Sequence, residues 1–376
     1  MTELYLAPAC RTPVGGRGGF FSHPPPERLA ARLFTHLYRH YGRPSIDAVI
    51  GGNAVGPGGN LTRLALLYSD LPEQVPAWTI DQQCASAAAA LGDGALRIAG
   101  GAADVVLAGG MESASLQPIR RYAEGDSRQG EFTVAQFSPT ENTGDAMLRG
   151  AERAAQTLGV TRETLDRYAL DSHRRALAAH EEGILTPYIV PCEELSADEC
   201  LRPRISARLL ARMPLLLGEG THTTAGNSCL IHDGAAFALL ASAAAVRRYG
   251  WRPLARIRTV AAAAADPLRS PLSVGAVTDE LFRRSGLTPE AVDCYEWNEA
   301  FAVIDALFAR DYPTLTDRYN RVGGALAYGH PYGASGAILL VHLLAALRQC
   351  GGRRGLLAIA GAGGTGAGLI VEACHD

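Results

Sequence analysis

Three short stretches carry side chains able to do chemistry. "TIDQQCASAAAALGDGALRIAGG" sets one thiol, Cys84, between an apolar run with strand character and an alanine-rich run with helix character. A thiol just ahead of a helix lies near backbone N–H groups without intrahelical partners and near the positive end of the helix dipole. Both favour the thiolate. "EWNEAFAV" places Asn298 and Glu299 at a strand-to-helix turn, and "GGALAYGHPYGASGA" places His330 in a glycine-rich loop ahead of another helix. Position alone leaves a second account of Cys84 open, a small residue buried in an alanine-rich layer. In company with an imidazole and a carboxamide, nucleophilic catalysis fits better. His330 would activate Cys84 or donate to a thioester oxygen, and Asn298 would hold a water or donate at the same oxyanion.

The remainder of the 376 residues must position these groups. A hydrophobic share of 47% and a charged share of 19% describe a compact folded chain, long enough for two packed lobes or one duplicated architecture. A net charge of -3 argues against a nucleic-acid partner. The eight cysteines show neither a CxxC pair nor a Cys/His zinc spacing, so no metal is expected. The opening "MTELYLAPACRTP" lacks a signal peptide's basic start and apolar core, and runs such as "LLVHLLAAL" are short for a bilayer. A reducing, cytoplasmic setting without membrane contact is the expectation.

Apolar runs alternate with alanine-rich helical runs in the first and last thirds, the pattern of α/β layers. "IDAVIGGNAVG", "VPAWTIDQ", "ADVVLAGGMES", "LARIRTVAAAA" and "VDCYEWNEAF" read as strands. "SAAAALGDGALRIAGG", "DGAAFALLASAAAVRRYG", "VTDELFRRSG" and residues 337–347 read as helices, with Cys350 at a helix end. "GLLAIAGAGGTGAGLIVEAC" reads as two strands about a glycine turn, and its strand-then-glycine ending echoes "VVLAGG", a hint of duplication. Residues 117–218 have a different texture. They are polar and turn-rich, then "TRETLDRYALDSHRRALAAHEEG" reads as a charged amphipathic helix with Thr161 and Glu163–Thr164 supplying the N-terminal cap, an excursion from the layered core.

Taken in order, "RTPVG", "DQQCASA", "VVLAGGMESAS", "LDRYALDSHRRALAAHEEG", "GTHTTAGN", "DGAA", "NEAF", "GGALAYGHPYGASGA" and "GGTG" resemble the thiolase family nearly end to end. The resemblance implies a duplicated five-layer αβαβα core. Its N-terminal half would be residues 1–116 and 219–249, its inserted CoA-gripping loop domain 117–218, and its C-terminal half 250–376. It also implies a homodimer or homotetramer, an acyl-CoA or acyl-carrier thioester as substrate, and no cofactor beyond it. Cys84 matches the acyl-accepting thiol, whose N–H helps form one oxyanion hole, and His330 with a water on Asn298 matches the other. Glu299 and Gly329 flank these motifs as site-lining residues, and Met147, His222, Asn227, Ser228, Cys229 and Phe301 fall at substrate-binding positions.

The pattern breaks at the C-terminus. Aligning "GGTG" puts Ala360 where the family usually carries a second cysteine that moves a proton at the acyl α-carbon, and Ala362 where a glycine N–H serves an oxyanion hole. Losing a positioned acid or base costs about 10²- to 10⁴-fold in rate. Condensation by the usual route is therefore in doubt, whereas acylation of Cys84 is not. After "TAGN" the chain has Ser228, Cys229 and Leu230, and His222 precedes the motif. Three readings follow: an acyltransferase whose acceptor needs no second cysteine, an acetyl-CoA acetyltransferase or 3-ketoacyl-CoA thiolase using His222 or Cys229 as the base, and a non-catalytic acyl-CoA-binding or scaffolding subunit. Tyr328 and Tyr332 beside His330 would shape an acyl pocket or pack over bare backbone.

Overall fold

The computed structural model describes residues 3–141, 143–192 and 195–374. Among the described residues nine longer strands form the main sheet: β1 (Leu4–Arg11), β2 (Ala48–Gly52), β3 (Ala77–Ile80), β4 (Val105–Ser113), β5 (His232–Ser242), β6 (Ala255–Ala264), β7 (Cys294–Trp297), β8 (Arg354–Gly361) and β9 (Thr365–Ala373). Their order is β7-β8-β9-β6-β1-β5-β4-β2-β3. Two residue pairs, Tyr5↔Arg256 and Leu6↔Ala255, join the halves at a β1–β6 seam. Outward from that seam β5, β4 and β2 mirror β9, β8 and β7, so the order itself shows the duplication.

Six helices matter to the layers: α1 (Pro26–His40), α2 (Ser86–Ala99), α3 (Ala146–Leu158), α4 (Arg162–Glu181), α5 (Ser273–Ser285) and α6 (Ser335–Cys350). Helices α2 and α6 form the middle layer, while α1 covers the N-terminal half-sheet and α5 the C-terminal one from outside. Strand alternation separates the cores. Along β5, Ala236, Ala238 and Leu240 face the middle cluster. Ala235, Phe237, Leu239 and Ala241 face the outer cluster under α1. On β8, Leu357 and Ile359 face the middle layer, and Leu356, Ala358 and Ala360 face the outer C-terminal cluster.

The run "DGAAFALLAS", expected as helix, is therefore strand β5, and helix resumes only at Ala243–Tyr249. An alanine-rich run buried on both faces has no polar stripe to reveal its period. The run "LLVHLLAAL", read as short for a bilayer, belongs to a longer span, Tyr332–Cys350, that is long and apolar enough by composition, yet 83% of its apolar window is buried inside the protein. A helix packed on every side is apolar all round.

Strands β4 and β5 pair antiparallel from Val105↔Ala241 to Ser113↔Asp233. Their mirror images β8 and β9 pair from Arg354↔Glu372 to Gly361↔Thr365. In the C-terminal half a tight turn closes the pair at residues 362–364, with Gly363 and Gly364 at φ +86 and +77. In the N-terminal half residues 114–231 stand in that place and hold α3 and α4.

The two middle helices touch backbone to backbone near their N-termini. A Cβ on Gly336 would lie 2.4 Å from the Ala88 nitrogen, whereas one on Gly92, farther along α2, meets nothing closer than 4.0 Å. Gly336→Ala is expected to lower Tm, at a cost of about 1–3 kcal/mol. Gly92→Ala should leave Tm unchanged or raise it, through about 0.5–1 kcal/mol of helix propensity. Thermal melts of the two variants check the contact, and equal Tm values would contradict it.

Candidate active site

Cys84 lies in the turn between β3 and α2. Gln83 before it adopts φ +52, a left-handed conformation unusual for a side-chain-bearing residue. The turn is locked. Gln82 N–H donates to Ser86 Oγ at 2.8 Å, Ser86 Oγ donates to the Gln83 carbonyl at 2.5 Å, and Gln83 N–H donates to Asp81 Oδ1 at 2.9 Å. Gln82 Nε2 also donates to Thr365 Oγ1 at 2.7 Å, tying the thiol's turn to the C-terminal strand pair.

His330 occupies the matching place ahead of α6. The His330 Nε2 is 3.3 Å from Asn298 Nδ2, and its Nδ1 is 2.6 Å from Ser335 Oγ. Ser335 Oγ donates to the Pro331 carbonyl at 2.8 Å. Each hydrogen has one consistent place. The Asn298 amide donates to a bare Nε2, so Nδ1 carries the ring hydrogen and gives it to Ser335. Asn298 Oδ1, buried and unpartnered, is left to accept from a water or substrate group. Tyr332 sets its ring edge-on to the imidazole at 4.8 Å.

A cavity of about 270 Å³ joins these groups. Cys84, His330, Tyr332, Cys229, Phe301 and Ala362 line it, together with Thr133, Val134, Ala135, Phe137, Gly144 and Met147 of the excursion, and with Arg17 and Arg120. A Cβ on Gly363 would come 3.1 Å from the Phe137 carbonyl, so the excursion rests directly on the tight turn.

Electrostatics correct the expectation of a resting thiolate. Burial, reinforced by the negative charge of Glu112, pushes the Cys84 thiol up to about 12. Burial, with His232 adding to it, lowers His330 to about 3. The resting pair is thus a neutral thiol and a neutral imidazole, and the proton must move as sulfur attacks. Glu112, which sequence reading passed over, stands behind both groups. It accepts from Asn53 Nδ2 (2.8 Å), Ala54 N–H (2.9 Å), Val55 N–H and, across the two halves, Gly333 N–H (2.9 Å). Burial lifts its carboxyl to about 7 against the pull of those N–H donors. The available signal was an acid inside the apolar strand "VVLAGGMES". Ser335 was missed as well, its only mark being its place five residues after His330.

Other residues singled out from sequence stand elsewhere. Glu299 is fully buried away from the cavity, accepting from Ser172 Oγ at 2.5 Å and Asn320 Nδ2 at 2.7 Å. Gly329, at φ +100, packs on the His232 ring, where a Cβ would approach to 2.3 Å. Ala360 faces the outer cluster, against which Cys229 and Phe301 also pack, and the cavity wall falls to Ala362. His222 holds Glu152 through Nδ1 at 2.7 Å, outside the cavity lining. Asn227 donates to Asp166 Oδ1 at 2.9 Å and accepts from Thr224 N–H at 2.8 Å, so "THTTAGN" clamps α3 and α4. Ser228 pairs with Phe301 through backbone, with its hydroxyl buried outside the lining. Tyr328 is also turned away, donating to the Val322 carbonyl at 2.9 Å. Among the described residues no three His, Cys, Asp or Glu groups cluster to hold a metal.

The thiolase N-terminal domain matches residues 4–244 and the thiolase C-terminal domain matches residues 251–373. The chain belongs to the thiolase family. It is 37% identical to a steroid 3-ketoacyl-CoA thiolase of Mycobacterium tuberculosis, over 99% of this chain and 94% of that one. It is 35% identical to a putative acetyl-CoA C-acetyltransferase of Bacillus subtilis, over 98% of each. The crystal structure of the Bacillus anthracis acetyl-CoA acetyltransferase superposes with a TM-score of 0.92 at 28% identity, over 100% of this chain and 99% of that one. This thiolase is therefore an acyltransferase enzyme of the acyl-CoA class, built on the five-layer fold.

The assigned hydrogens are checked by ¹⁵N NMR of the imidazoles. His330 is expected to remain neutral, with its hydrogen on Nδ1, between about pH 5 and pH 8, a range in which an unperturbed histidine titrates. An imidazolium, or a neutral ring protonated at Nε2, would contradict the network.

Proposed function

We propose that Cys84 accepts an acyl group from a CoA or carrier thioester and passes it to an acceptor whose activation needs no group at position 360. The supporting observation is that Cys84 and His330 line one cavity, with Asn298 against His330 Nε2, while position 360 holds only a methyl group turned into a core cluster. In the first half-reaction Cys84 Sγ bonds to the thioester carbon as its proton passes to His330 Nε2, whose lone pair is released from the Asn298 amide hydrogen bond as the proton arrives. The tetrahedral intermediate's oxyanion forms near the Cys84 N–H, at the end of the turn before α2, or near the protonated Nε2 and a water on Asn298 Oδ1. The carbon–sulfur bond to the carrier then breaks, and the leaving thiolate recovers the proton. In the second half-reaction an amine, an alcohol or a carbanion released by decarboxylation attacks the acyl-enzyme. We further propose a homodimer or homotetramer in the cytoplasm. The edge strand β3 and the exposed Leu96 of α2 offer a pairing surface.

Incubation with acyl-CoA donors followed by intact-protein mass spectrometry tests the first half-reaction. Wild type should gain the acyl mass and Cys84→Ala should not. Failure of every donor, or acylation that survives Cys84→Ala, removes the reading.

One observation favours a second reading, thiolysis of a 3-oxoacyl-CoA with Cys229 as the proton-transfer group. Cys229 lines the same cavity as Cys84, its N–H bonded to the Ala300 carbonyl at 2.9 Å. Burial raises its thiol well above the ordinary range, which suits an acid that delivers a proton rather than a resting base. On this reading Cys229→Ala lowers thiolysis by about 10²- to 10⁴-fold while Cys84 still acylates, and His222→Gln leaves thiolysis unchanged. Thiolysis in Cys229→Ala at the wild-type rate would exclude it.

A further inference from the structure

Two other thiols meet far from the cavity. Cys294 opens β7 and Cys350 closes α6, and their sulfurs are 3.5 Å apart. Strand β7 runs toward Asn298 and helix α6 runs away from His330, so the pair lies at the ends of both elements opposite the site. At about 1.5 Å per residue, the sixteen residues of α6 put the Cys350 end roughly 22 Å from the His330 end.

The approach is held by backbone rather than by chance rotamers. Asp293 Oδ2 accepts from the N–H groups of Arg353 and Arg354 at 2.8 Å each, and Asp293 N–H donates to the Arg354 carbonyl at 2.8 Å. Strands β7 and β8 then pair in parallel from Cys294↔Gly355. On the helix side Gly351 ends α6 at φ +63, and the chain folds back so closely that a Cβ on Gly352 would lie 2.9 Å from both Cys350 Sγ and Asp293 Cβ. The Cys350 sulfur is thus lodged over the start of β7, in a frame that fixes both partners. Cys350 is an exposed residue whose Sγ donates to the Leu347 carbonyl at 3.7 Å, and Cys294 is buried, so a reagent meets Cys350 before Cys294.

We propose that Cys294 and Cys350 form a dithiol site, separate from the acyl-transfer centre, that a small-molecule disulfide converts into an intrachain disulfide. The step balances by exchange. The Cys350 thiolate attacks one sulfur of the reagent, expelling the first reagent thiolate and forming a mixed disulfide. Cys294 gives its proton to the expelled thiolate, attacks Cys350 Sγ and expels the second thiolate, which takes a proton from water. Two protein thiols are oxidised, and one reagent disulfide is reduced to two thiols. To close the bond, sulfurs 3.5 Å apart must approach to about 2.05 Å. The exposed helix end at Gly351 is where that adjustment is easiest. The bond clamps together the remote ends of the two elements that present Asn298 and His330.

The test is incubation of the full chain with oxidised glutathione, quenching with an alkylating agent, digestion without reductant and peptide mapping. The expected product is a linked pair of peptides containing Cys294 and Cys350, lighter by two hydrogens than their sum, and absent from Cys350→Ser. A glutathione adduct that persists on Cys350 while Cys294 alkylates after unfolding would overturn the proposal. So would recovery of both thiols unmodified. Adducts at Cys84 fall on a different peptide and do not affect the outcome.

Discussion

The contact between α2 and α6 at Ala88 and Gly336 is the constraint on which the site depends. Each half of the duplicated sheet delivers a strand or loop into the N-terminus of a middle-layer helix, and one half brings a thiol while the other brings an imidazole. A side chain at Gly336 would push those N-termini apart. Glu112 strengthens the same junction, since one buried carboxylate binds Ala54 and Val55 of the first half and Gly333 of the second. Gly333 also has room for nothing larger, because a Cβ there would fall 2.6 Å from the Asn53 Cα.

This junction has an electrostatic consequence. The packing that excludes water and brings the groups together also removes the solvation that would stabilise a thiolate or an imidazolium. Glu112, needed to hold the halves, adds a negative charge behind Cys84. Cys84 and His330 are therefore both neutral at rest, and charge appears only as the acyl donor is attacked. Oriented N–H groups and Asn298 are already in place for it, which is where preorganisation is most effective.

Much of this was legible in the sequence. The order of motifs located Cys84, Asn298 and His330, and the strand-glycine endings of "VVLAGG" and "LLAIAGAGG" belong to the mirrored strands β4 and β8. What failed did so for identifiable reasons. The run "DGAAFALLAS" at residues 233–242 reads as helix yet is strand, because alanine gives no periodic contrast when both faces are buried. Glu299, His222, Asn227 and Ser228 stand within motif segments yet point elsewhere, since adjacency along a chain does not fix side-chain direction, and the Gly329 backbone packs on the His232 ring. The thiolate expectation weighed the helix end and lacked any measure of burial. Ser335 and Glu112 act through hydrogen bonds that only the fold closes.

The departure at Ala360 gains its meaning from the same geometry. The connection at residues 114–231, which contains the excursion, takes the place that a tight turn occupies in the other half, and the two meet where Phe137 lies over Gly363. The cavity between them is lined by Cys84 and His330, but the strand leading into the turn offers it no proton-transfer group. The most direct measurement compares two isotope exchanges with acetyl-CoA in deuterated water: labelled CoA into acetyl-CoA, which needs only Cys84 and its proton partner, and deuterium into the acetyl methyl group, which needs a base at the α-carbon. The account predicts rapid CoA exchange, with deuterium incorporation slower by about 10²- to 10⁴-fold. Deuterium entering as fast as CoA exchanges, or no CoA exchange at all, would contradict it.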